Sequence, residues 1–226
     1  VALLALDKPS FMKGFLVGAG AYLVLYFSFS LLGLIPLAVL WVGLEWLRSR
    51  QPGSLRRAIL FVSGILAGVV FFWAIFRVGL NYDILTRYTS AFANHRTTWH
   101  FNTWQERMLH GLALNNVEFV TWTGFPIILL VVIRIVKAAA AFLRRQASRL
   151  DSLTLAFLVT YILMVALGQT NGEVQRLYLF LTPLVALISA EELKNLFKNK
   201  KSGFLFLAVL QLITIFLIFQ LQDFYG

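Results

Sequence analysis

The sequence has no cysteine and little charge: Asp, Glu, Lys and Arg together make up 13% of its 226 residues, about half the share usual in a soluble domain. The missing cysteines exclude disulfides, thiolate metal sites and cysteine nucleophiles. Histidine is scarce as well. His95, His100 and His110 fall in one polar stretch, and their spacing lacks the HExxH pattern of a helical zinc site. There is no Gly/Ser-rich linker and no internal repeat, so one transmembrane domain covering 1–226 is the economical expectation. The first residue is Val1, and no targeting segment precedes the first apolar run. That points either to an alternative start or to the C-terminal part of a longer protein.

What the sequence does have is hydrophobic length. Apolar residues make up 59%, with 21 Phe and a mean hydropathy of +0.78. Polar residues come in short clusters between apolar runs of about 17 residues or more, as in a polytopic helical membrane protein. The fold expected is therefore all-α, a transmembrane bundle of about seven spans. These lie at about 11–28, 31–47, 57–78, 116–136, 153–169, 176–193 and 203–221. The first two share a run of 37 residues from Phe11 to Leu47, with a tight turn between Ser28 and Gly33.

The net charge of +10 would suggest nucleic acid in a soluble protein. Here the aromatics lie inside apolar runs, which leaves no stacking platform on a basic groove, and nucleic acid is not an expected partner. The basics instead segregate by loop. With seven spans, 15 of them fall on one side, and five (Arg77, Arg87, Arg96, Arg107 and Arg176) on the other. The positive-inside rule then puts the N-terminus in the cytoplasm and the C-terminus outside, with 79–115 and 168–176 facing outward. The expected place is the plasma membrane of a prokaryote.

The outward stretch 79–115 is the one long polar segment. Its aromatics, among them Tyr82, Tyr88, Trp99 and Trp104, suit short helices lying at the membrane surface rather than an eighth span. Asp83 and Arg87 stand i,i+4, a spacing that stabilises a surface helix; Arg96 and Glu106 lie in the same stretch. His95 is open to roles as general base, phosphate donor or ordinary interfacial residue. Glu118 stands near the start of the fourth span. There Asn115 or Asn116 as a cap and the free N–H groups of a helix start account for it as well as a substrate site does. Pro126 should bend that helix. Gly64 and Gly68 interrupt the third span.

Residues 171–176 read NGEVQR between two almost purely apolar segments. Glu173 and Arg176 there form either a hairpin ion pair or the mouth of an outward cavity. In the second case Arg176 would clamp a phosphate with its planar fork, and Glu173 would hold the guanidinium or a hydroxyl.

Gly172, Glu173 and Arg176, followed by Phe180 and Pro183, carry a resemblance. With YDILTRYTSAFANHR and NNVEFVTWTGFP, the segment resembles the C-terminal half of bacterial and archaeal GT-C superfamily glycosyltransferases, relatives of protein mannosyltransferases and lipid A aminoarabinose transferases. The resemblance implies sugar transfer from a polyprenyl-phosphate donor to an acceptor on the extracytoplasmic side, with membrane lipids as surroundings and Arg176 facing the carrier phosphate. It implies a divalent metal in some members. The catalytic carboxylate of such enzymes lies in the first outward loop, yet the turn around Ser28 to Gly33 holds no acid. The acid/base of a transferase would therefore lie outside this chain. The residues expected at a substrate or lipid-phosphate site are Arg176, Glu173, Glu118, Arg87 and His95. Two other readings stay open, a transporter-like subunit and a structural subunit of a membrane complex.

Overall fold

The computed structural model describes residues 9–28, 31, 33–49, 53–99, 103–167, 178–197 and 200–221. All regular structure among them is helical: α1 (Phe11–Phe27), α2 (Leu34–Ser49), α3 (Ser54–Gly79), α4 (Ile84–Trp99), α5 (Trp104–His110), α6 (Asn116–Thr123), α7 (Phe125–Leu143), α8 (Arg149–Leu167), α9 (Thr182–Leu196) and α10 (Lys200–Leu221). A π-helical turn, Gly111–Asn115, joins α5 to α6, and a 3₁₀ turn, Leu179–Leu181, leads into α9.

The helix starts are written locally. Ser10 Oγ accepts from the Lys13 amide at 3.4 Å to open α1. Thr103 and Glu106 form a reciprocal box ahead of α5, each backbone N–H donating to the other's side chain at 3.2 Å. Ser148 and Asp151 do the same for α8 at 2.7 and 3.2 Å. Such boxes satisfy amides that a helix start leaves without partners.

Four helical stretches are long and apolar enough to cross a membrane: Leu55–Gly79, Phe125–Leu143, Arg149–Ala166 and Lys201–Gln220. This is the architecture of a multi-pass membrane protein. Seven helices of full membrane length are not found among the described residues. The first, second and sixth expected spans form helices of 17, 16 and 15 residues, or about 26, 24 and 22 Å at 1.5 Å per residue. These fall short of the roughly 30 Å hydrocarbon layer. The reason for the first two is the turn that divides one apolar run between them. α4 has 16 residues and little apolar character, and α5 with the π-turn and α6 carries Glu106, Arg107 and Glu118, so neither is among the stretches apolar enough to make an eighth crossing.

The described residues group into two compact units. The first lies within 1–107 and takes in Val159–Met164; the second comprises the remainder. In the first unit, α1 and α3 run parallel and very close. A Cβ on Gly14 or Gly18 would overlap the backbone carbonyl of Phe61 or Ile65, and one on Gly64 or Gly68 would overlap that of Phe11 or Phe15. Two small-xxx-small stripes thus interlock, the arrangement that lets apolar helices approach backbone to backbone. Gly64 and Gly68, read from sequence as interruptions, lie inside an unbroken α3 and serve this contact. Val42 of α2 packs on Phe61 and Ile65 to complete the core.

In the second unit, α7 packs on α9 and α10, with Leu130, Val131, Val185 and Ile188 buried. The expected bend at Pro126 is instead a break at Gly124, whose φ of +93° and ψ of 130° suit glycine. Pro126 sits in the first turn of α7, where its missing N–H costs nothing. Gln211 of α10 closes the break. Its Nε2 donates to Thr123 O at 3.3 Å, and its amide fills the space a Cβ on Gly124 would need. Gln211 stands at the centre of the Lys201–Gln220 stretch.

Candidate functional site

The richest polar arrangement in the first unit is at the C-terminal end of α3. Leu80 closes that helix, Asn81 takes a left-handed turn at φ 49°, and the chain folds back so that Asp83 meets the end it has just left. Asp83 accepts from the Leu85 amide at 3.1 Å, Thr86 Oγ1 at 3.0 Å and Trp73 Nε1 at 3.5 Å, and it pairs with Arg77. Tyr26, Phe76 and Tyr82 stack edge to face beside it, with Tyr26–Tyr82 centroids 4.9 Å apart. The expected partner of Asp83 was Arg87. The structure gives it Arg77 because the reversed chain presents the carboxylate to α3, while Arg87 is exposed.

These bonds set the charge of Asp83. Desolvation pushes its carboxyl upward, but the bonds from Thr86, the Leu85 amide and Trp73, with the charge of Arg77, outweigh that and hold it below the ordinary carboxylate range. A depressed folded-state value means the anchoring of α4 is complete above the unfolded value and is lost as pH falls through the folded one. Protection of the Leu85 amide, its exchange rate measured against the intrinsic rate at each pH, should therefore be high at neutral pH and fall in acid. Asp83→Asn should show little protection at both; a wild-type amide whose protection ignores pH would refute the anchor.

Beneath this cluster lies an apolar cavity of about 530 Å³, which is within the roughly 300–1,000 Å³ range of small-molecule sites. Tyr22 and Leu25 of α1, Ile35 of α2, Val69 and Trp73 of α3 and Tyr88 of α4 form its walls, and no polar atom faces into it. Burial pushes the Tyr88 hydroxyl up to about 12, so it stays protonated at any physiological pH. The buried Tyr22 hydroxyl has no hydrogen-bond partner among the described residues.

No protein-family model, curated protein or solved structure matches this chain. The site must therefore be read from its own chemistry.

The residues expected from sequence fare unevenly. Glu173 and Arg176 lie outside the described residues. Arg87 and His95 share α4, eight positions or about 12 Å apart along its axis; the His95 side chain is outside the described ones. Glu118 is half-buried on α6 in the second unit, and its expected setting is corrected. No helix starts there, because α5 runs on through the π-turn. Asn115 is helical and fully buried, without a capping bond, and Asn116 Nδ2 reaches back to Leu112 O at 2.5 Å. Glu118 therefore meets no free helix start. The divalent metal implied by resemblance has no donor set among the described residues, where no three His, Asp or Glu converge.

Sequence reasoning missed a second cluster. In the second unit, Arg134 Nη2 bonds Asp151 Oδ1 at 2.5 Å, and Lys137, one turn along α7, pairs with Glu192 of α9. The Glu192 side chain is 0% exposed, whereas that of Lys137 is 49% exposed, its stem reaching inward from the surface. Arg134 and Lys137 were counted only as topology charges. The S-x-x-D pattern at Ser148–Asp151 was the local signal that could have placed Asp151.

Proposed function

We propose that this chain is the carrier-handling part of an extracytoplasmic membrane glycosyltransferase, in the plasma membrane of a prokaryote. The supporting observation is that membrane-length helices are interrupted by two others, Ile84–Trp99 and Trp104–His110, that are too polar to cross. Such a surface layer is where a lipid-borne phosphate and a water-borne acceptor can meet. The resemblance at NGEVQR, and the gathering of 15 of the 20 basics on the opposite side when seven spans are counted, support the same reading. The N-terminus is then cytoplasmic and the C-terminus outside. The three shorter helices complete seven crossings; α1 lies parallel to and in register with membrane-length α3, which supports its sharing the same layer.

In the reaction proposed, an acceptor hydroxyl oxygen attacks the anomeric carbon of the polyprenyl-phosphate sugar. The bond from that carbon to the phosphate oxygen breaks with inversion, a base outside this chain takes the acceptor proton, and Arg176 steadies the departing phosphate. In the complete enzyme, Arg176→Lys keeps the charge but loses the fork. It should lower turnover or carrier affinity roughly 10- to 100-fold, since a charged hydrogen bond contributes about 1.5–3 kcal/mol. Wild-type kinetics in both Arg176→Lys and Arg176→Ala would end the phosphate-clamp reading.

One observation favours a transporter instead: the break at Gly124, facing the centre of α10. Interrupted helices of that kind line substrate sites in many transporters. Solute counterflow in proteoliposomes, without sugar transfer, would select that reading.

A further inference from the structure

The apolar cavity of the first unit opens among side chains that a membrane protein presents to lipid. Val70 and Leu85 contribute to its wall and are themselves exposed. A groove of this size, with no polar atom facing inward, offers water nothing to bond and would forfeit dispersion contacts if left unfilled. A hydrocarbon chain from the surrounding bilayer can enter it sideways. Apolar character alone selects no particular lipid, since one chain in hydrocarbon is much like another. The polar end must decide.

At that end stands Arg77, one helical turn beyond Trp73. Its guanidinium is half exposed and its described bonding is to Asp83 alone, through a single nitrogen. Asp83 is saturated by four partners, so it holds Arg77 in place without using up the arginine's five donors. The fork is thus fixed beside the mouth of an apolar groove, with donors left for an oxyanion at the depth of a headgroup.

We propose that this groove is a phospholipid site: one acyl chain lies between α1, α3 and α4, and the phosphodiester of the same lipid is held by Arg77. Bulk phospholipid is the occupant because it is the abundant phosphate-bearing lipid of the leaflet, and occupancy follows concentration over dissociation constant. The proposal stands apart from sugar transfer and requires only that the protein sit in a bilayer.

The test is native mass spectrometry of the full chain, delipidated in detergent and titrated with a synthetic phosphatidylglycerol. One lipid per chain should be retained. Arg77→Gln should weaken retention about tenfold, a charge-assisted bond to phosphate being lost. Arg57→Gln, at the opposite end of α3, should not. Val69→Trp should displace the chain by filling the groove, and inorganic phosphate should not compete. If Val69→Trp fails to fold, a phospholipid brominated on its acyl chain serves instead. It should quench the part of the fluorescence that Trp73→Phe removes. Retention unchanged in Arg77→Gln would overturn the proposal, as would an unquenched Trp73. Displacement by an equal amount of a long-chain isoprenyl monophosphate would reassign the groove to a lipid carrier.

Discussion

Leucine at position 18 is expected to separate α1 from α3 and collapse the first unit. The obstacle is main chain: the carbonyl of Ile65 occupies the place of the new Cβ, and that carbonyl is fixed within α3. A flexible side chain could turn aside; a helical carbonyl cannot without moving its helix. Overpacking of this kind costs about 1–3 kcal/mol where the site can yield. Here the shift would also loosen Phe61 and Ile65, both almost fully buried. A loss above about 3 kcal/mol follows, which is roughly 6–12 °C in melting temperature for a chain of this size. Gly20→Ala is the control, because nothing lies near a Cβ there. It should match wild type or gain up to about 1 kcal/mol, the usual helical advantage of Ala over Gly. A Gly18→Leu protein that purifies monodisperse and melts with wild type would show that the helices are not in backbone contact.

The second large effect is expected in the other unit. Lys137→Met removes the described partner of Glu192 and leaves a wholly buried carboxylate without compensation. Breaking a fully buried ion pair from one side typically costs about 3–5 kcal/mol. With Lys137 half exposed, the loss here should be smaller, about 1–3 kcal/mol. Replacing both charges with apolar groups of similar volume is often neutral. The pair Lys137→Met and Glu192→Met together should therefore recover most of the stability lost by the first alone. A double-mutant cycle read by thermal unfolding in detergent measures this directly. If the double variant is no more stable than Lys137→Met, the pair is not what satisfies Glu192.

Both effects turn on contacts that connect distant parts of the chain, and this marks the limit of what was legible beforehand. Apolar run length placed two helices well: 57–78 was expected and Ser54–Gly79 is found, and 203–221 became Lys200–Leu221, whereas the expected 116–136 is broken at Gly124 and continues to Leu143. Run length is a local property, and so are the boxes at Thr103–Glu106 and Ser148–Asp151. The role of Gly64 and Gly68 is not local, since Phe11 and Phe15 stand about fifty residues earlier. Glycine in an apolar run looks the same whether it weakens a helix or admits a neighbour. Asp83 was matched with Arg87 because i,i+4 is the natural local partner, but the left-handed turn at Asn81 brought Arg77 instead. Lys137 looked like one more positive charge among many until α9 supplied Glu192. Of the expected phosphate site, Arg87 proved exposed and Glu118 proved to sit inside a continuing helix, while Glu173 and Arg176 fall outside the described residues.

The bond from Gln211 to Thr123 has a consequence for biogenesis. The two residues are 88 apart in sequence, so α6 and α7 leave the ribosome long before the amide that closes their break exists. Hydrocarbon offers an uncapped carbonyl no substitute partner, and α10 for its part must carry a polar amide at its centre into the same layer. The bond satisfies the Thr123 carbonyl and the Nε2 end of the Gln211 amide, while Gln211 Oε1 has no partner among the described residues. Insertion of α10 and completion of the break are thus one event, and the second unit reaches its final state only when synthesis of α10 has ended.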